Sequence, residues 1–227
     1  GIYNESLYID KTVILVGLDD ASSCIIDASG LGGGVAEIVA GDSTFSNLTF
    51  TNGDTSLGGG GISIINNSGA ILQDCIVDSN EALFGGGVFT SSNASLSLIE
   101  TEITNNWAVD GGGLYSDQNS MVDLIGSRIA FNDAYSGGGA VFVDSNVYID
   151  ESSFSANYAA ENAGMLAIAS LVDVNFTIFS GNQSKTGGGG IGSDGSLVFV
   201  GDSGFCQNTP VDIDGYWVDE GGNTFSA

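Results

Sequence analysis

The chain of 227 residues contains no histidine and only three basic residues, Lys11, Arg128 and Lys185. Without histidine there is no imidazole ligand for zinc, no Ser-His or Cys-His dyad, and no Gly-His-Gly of the polygalacturonase type. With 28 acids against three bases the formal charge is −25. Nucleic acid and anionic membrane surfaces are therefore poor partners, because affinity for either comes largely from Lys and Arg displacing counterions. Acidity on this scale serves solubility in a salty or extracellular medium. No Asp/Gly run matches an EF-hand loop or the nonapeptide calcium repeat, so no cofactor is expected and only loose Ca2+ binding by surface carboxylates stays open. Three cysteines, Cys24, Cys75 and Cys206, cannot all pair within one chain, and none sits in a CxxC motif. They read as small buried hydrophobes. No signal peptide and no apolar run of transmembrane length is present, so direct membrane insertion is not expected. Because the first residues already read as a strand, Gly1 is read as a processed or excised start.

Against one proline stand 36 glycines and 42% hydrophobic residues, a balance that favours many short strands joined by tight turns. Glycine runs recur at Gly58 to Gly61, Gly85 to Gly87, Gly111 to Gly113, Gly137 to Gly139 and Gly187 to Gly190, with a degenerate Ala163-Gly164 between the last two. The apolar residues that follow, Ile62, Val88, Leu114, Ala140, Met165 and Ile191, are spaced by 26, 26, 26, 25 and 26. A second column runs through Asn80, Asn106, Asn132, Asn157, Asn182 and Asn208, and three residues before each lies Val77, Ile103, Ile129, Phe154, Phe179 or Phe205. Two further columns, Ala70/Leu96/Val122/Val147/Val172/Val198 and Leu72/Leu98/Leu124/Ile149/Val174/Val200, alternate with polar residues as half-buried strands do.

Strand segments this short bury their inward faces only by stacking on equivalent segments one repeat away. The pattern predicts an all-β fold, a single-stranded right-handed parallel β-helix of about nine coils of about 26 residues. One domain covers 1–227, divided into opening coils at 1–45, regular repeats at 46–208 and a closing segment at 209–227. The Asn column is expected to form an amide ladder lining a turn. Trp217 and Phe225 are expected to plug the closing end.

The repeat F/I-x-x-N followed by glycines and an aliphatic residue, as in Ile103-Thr-Asn-Asn106 with Gly111-Gly-Gly-Leu114, resembles the repeats of chlamydial polymorphic outer-membrane proteins and of secreted bacterial β-helix proteins. The third glycine departs from the GGA usual in the chlamydial repeat, so the likeness is to a broad class. The resemblance implies a surface-exposed stalk or adhesin segment, secreted and extracellular. The opening coils are similar to those of secreted pectate-lyase-like helices.

No constellation for catalysis emerges. Arg128 and Lys185 are two coils apart and do not read as a joint base. Carboxylate pairs such as Asp19-Asp20, or Asp123 with Asp173, are what 28 acids on a rod produce by accident. The expected function is non-enzymatic: a stalk, adhesin or self-assembling filament subunit. The alternative is a carbohydrate-active enzyme or polysaccharide-binding module on the same fold. For an interface, the outward neighbours of the aliphatic column suggest an apolar stripe at Phe89, Tyr115, Val141 and Leu166, with aromatic corners at Trp107 and Tyr158; packing beneath a local loop, or an inverted strand register, is the competing reading. Expected partners are a second copy joined end to end, or an upstream part of a longer chain, because the first coil opens without a polar cap. Glycans and other surface proteins remain open as partners.

Overall fold

A computed structural model describes residues 1–226. The chain is a parallel β-solenoid. One coil is represented by Ile76–Asp78, Glu81–Phe84, Val88–Thr90 and Ser95–Ile99, after which Glu102–Thr104 begins the next. The first segment belongs to a sheet of ten strands, the second and third to one of 13, and the fourth to one of nine. Nine rungs in the third sheet are separated by eight steps, which at ~4.8 Å each give a rod about 38 Å long. The only helical turn among the described residues is a 3-10 turn at Ala21–Ser23.

Register follows the sequence columns. Val77 pairs with Ile103 and Ile103 with Ile129, while Leu98, Leu124 and Ile149 stack in the third sheet, all fully buried. Aromatic residues take over this column toward the far end. Phe154, Phe179, Phe205 and Phe225 lie nearly parallel at centroid distances of 5.0, 5.1 and 5.0 Å. Trp217 leans on Phe225 at 6.2 Å and packs on the core beside it.

Two polar columns hold the turns. In the Asn column, Asn132 Oδ1 accepts from both the backbone N–H and Nδ2 of Asn106, and Asn132 Nδ2 donates to Ile103 O and Asn157 Oδ1. The same geometry repeats from Asn80 to Asn182, so each buried amide uses both donors and its acceptor. Asn208 closes the column by donating to Phe179 O and Asp212. A second column, not apparent in the sequence, runs through Cys75, Thr101, Ser127, Ser152, Thr177 and Ser203. Here each backbone N–H from Cys75 to Thr177 donates to the hydroxyl one coil on, and that of Ser203 donates to Asn223 Oδ1. Cys75 is the thiol member of this series; burial pushes its pKa up to about 11, which makes it inert. No disulfide links the three cysteines; Cys24 and Cys206 are half-buried.

The bend between the two segments of the second sheet takes left-handed backbone, which favours glycine; Asn162 holds the same place with φ 52°. Gly85, Gly111 and Gly137 have φ of 58°, 67° and 61°. The next two residues of a run serve a different need: a Cβ on Gly87 would lie 2.6 Å from Gly113 O of the next coil.

The opening rung is apolar and exposed. Ile2, Ile14, Val16 and Leu18 are open, and a hollow of about 370 Å³ lined by Leu7, Leu15, Cys24, Ile26 and Leu48 leads into the core.

Candidate functional site: a groove on the second sheet

Each coil bends at its glycines, so the segment before the bend and the strand after it form an inside corner. Two columns face one another there. One is Gly58, Phe84, Asp110, Ser136, Glu161 and Thr186. The other is Tyr8, Glu37, Ser63, Phe89, Tyr115, Val141, Leu166 and Gly192.

The expected apolar stripe does not survive as a continuous exposed face. Phe89 and Tyr115 are partly open, whereas Val141 is 2% and Leu166 8% exposed. The bend closes the corner over them: a Cβ on Gly137 would overlap Val141 Cγ2, and the Asn162 side chain lies over Gly192. The competing reading, burial beneath the chain's own neighbouring segment, holds for these two residues. Trp107 and Tyr158 are exposed in another column, with Asp133 between them.

In the middle of the corner the rings form a cluster. Phe89 stacks on Tyr115 at 5.8 Å and 15°, and Phe84 tilts against Tyr115 at 5.1 Å. Burial pushes the Tyr115 phenol up to about 12, with the Asp117 and Asp110 charges adding to it. Burial also raises the Asp110 carboxyl, and Glu161 raises it further.

Below the ring cluster the corner opens into a groove of about 450 Å³. Its floor is the outward column Tyr8, Glu37 and Ser63, Phe89 stands at one end, and Gly58 and Leu57 form a side wall. Phe89 fits because position 58 has no side chain: a Cβ there would lie 2.5 Å from Phe89 Cγ. Tyr8 is 68% and Leu57 72% exposed.

Phe89 and Tyr115 stand in the stripe expected from the sequence, whereas Tyr8 and Glu37 of the same column do not. A signal was present. Gly32-Gly33-Gly34 precedes Val35-Ala36 as the later runs precede their aliphatic residues, and Ala36 pairs with Ile62 at the same 26-residue step.

Other charged candidates stand apart. Arg128 Nη1 meets Glu102 Oε2 at 3.4 Å on the surface, and its guanidinium lies 5.3 Å from the Phe131 ring centroid. Asp123 and Asp173 are two rungs apart with Tyr148 between them, not on adjacent coils. Burial raises Asp123, and the Ser22 and Ser23 hydroxyls lower Asp20. Among the described residues no group of three or more Asp, Glu or Cys side chains is placed to hold a metal ion, and no helix is long and apolar enough to cross a membrane.

No protein-family model matches this chain, and no curated protein or solved structure matches it either.

Proposed function

We propose that this chain is a non-enzymatic β-solenoid that acts outside the cell, as a rigid stalk or adhesin segment of a surface protein or as the subunit of a filament. The observation that carries this reading is the unbroken pair of polar columns. Buried side chains are used coil after coil to bond the next turn, which is what a load-carrying rod requires. Such a rod is stiff from about Cys75 to Asn208, because the turns there are fixed by backbone, amide and hydroxyl bonds together. The charge of −25 keeps it soluble, and the likeness of its repeat to surface-exposed bacterial repeats supports the location.

Antibody raised against the purified chain is expected to label intact source cells, and external protease is expected to remove the label. Labelling that requires permeabilised cells overturns the surface reading. The exposed ring of Ile2, Ile14, Val16 and Leu18 supports a cover at that end, from preceding residues of a longer chain or from a second copy joined head to tail. Sedimentation over a concentration series separates these: the filament form requires growth with concentration.

A second reading, glycan cleavage on the same fold, draws on Asp110, whose raised carboxyl has the character of a general acid, with Glu161 two rungs away. New reducing ends from pectate, alginate, hyaluronan or neutral glycans, lost in Asp110→Asn, would replace the non-enzymatic reading with this one.

A further inference from the structure

We propose that the groove over Tyr8, Glu37, Ser63 and Phe89 binds an uncharged polysaccharide laid along the axis of the solenoid. This goes beyond the stalk or filament reading by naming a ligand class and its place.

The groove offers one outward side chain per rung, and the rungs repeat every ~4.8 Å, close to the length of one pyranose residue. Four consecutive rungs from Tyr8 to Phe89 therefore match a run of sugar units in step. The side chains combine the two characters that a sugar needs, aromatic and polar. Tyr8 gives an open aromatic surface for the C–H face of a pyranose ring, the Glu37 carboxylate and the Ser63 hydroxyl lie beside it for the sugar hydroxyl groups, and Phe89, stacked on Tyr115, closes one end of the groove. Among the described residues neither the Glu37 nor the Ser63 side chain has a hydrogen-bond partner, and Leu57 forms an apolar lip beside them.

A peptide fits this surface poorly. Running along the axis it advances about 3.3 Å per residue and falls out of step with the rungs. Its backbone would also find few partners, because above the edge strand that carries Tyr8 the strands of the floor spend their N–H and C=O groups on neighbouring coils. Anionic glycans and nucleic acids are disfavoured by Glu37 in the groove and by the charge of −25 around it. The chemistry left is a neutral glycan with exposed C–H faces.

Electrophoresis of the purified chain in native gels containing hydroxyethylcellulose, xyloglucan, galactomannan or polygalacturonate tests the proposal, since the chain's own charge drives migration. At least one neutral polymer is expected to retard the chain, and polygalacturonate is not. Tyr8→Ala removes one stacking surface and is expected to weaken apparent affinity about tenfold. Ser63→Tyr fills the groove and should abolish retardation, while Tyr158→Ala, an exposed aromatic outside the groove, should leave it unchanged. Tyr8 is so exposed that its loss does not threaten the fold, so that variant decides the matter if Ser63→Tyr melts early. Free migration in all three neutral polymers, equal retardation of parent and Tyr8→Ala, or equal binding to polygalacturonate overturns the proposal. Cleavage of the gel polymer that depends on Tyr8 would count for the groove and against the non-enzymatic reading, so the two fail separately.

Discussion

The lower and upper halves of the second sheet share one register and one kind of glycine bend, yet they present opposite surfaces. Below, Tyr8, Glu37 and Ser63 floor a groove bordered by Gly33, Gly34, Leu57 and Gly58. Above, Val141 and Leu166 occupy the same column but are shut in by Gly137 and the segment ending at Asn162. Outward direction along a strand is thus a weaker statement than exposure: at an inside corner the neighbouring segment decides which outward residues meet water.

The change that should break both halves at once is Leu124→Asp. Leu124 is fully buried between Leu98 and Ile149, and no cation or donor lies in that column to compensate a carboxylate. We expect loss of the folded state, a cost above about 4 kcal/mol, read as collapse of the strand signal in circular dichroism. A stable folded variant would show the inward register to be wrong.

Next in size is Asn132→Ala, at the middle of the amide ladder. It leaves the Asn106 N–H without its side-chain acceptor and removes the donors to Ile103 O and Asn157 Oδ1. Loss of several buried bonds should cost roughly 3 kcal/mol and lower Tm by ~10 °C. Calorimetry checks this, and a separate early transition would show that the two halves melt independently.

A matched pair sharpens the contrast between the halves. Gly137→Ala places a methyl in left-handed backbone and against Val141, so we expect about 1–3 kcal/mol of destabilisation. Gly33→Ala meets no atom within 4 Å and should change the melting curve by less than ~0.5 kcal/mol. If both variants melt alike, the upper half is not closed as described.

A small, pH-dependent effect is expected at Asp110, where the corner changes from open to closed. Burial and then Glu161 raise its carboxyl, so the native chain takes up this proton more readily than the unfolded one. The charged form therefore destabilises the fold at pH values above the raised pKa, and the penalty disappears as pH falls through it. Asp110→Asn should raise Tm at neutral pH by roughly 1–2 °C, after allowance for its partial exposure, and give no gain in acid. An equal gain at both pH values would assign the effect to packing and not to charge.

The sequence by itself determined the solenoid, its 26-residue step, the inward columns and the place of the Asn column. Each of these repeats in the chain because each coil meets the same neighbour one step away. The hydroxyl ladder was harder to see, since Cys75, Thr101, Ser127 and Ser152 share only a small side chain able to accept a backbone N–H. The tertiary structure alone decided which outward residues are exposed. Val141 and Phe89 occupy the same register, and their difference arises from segments packed beside them in space, Gly137 in one case and Gly58 in the other. A repeat fixes what each residue stacks on along the axis; the bend of the coil fixes what lies across from it, and that contact leaves no period in the sequence.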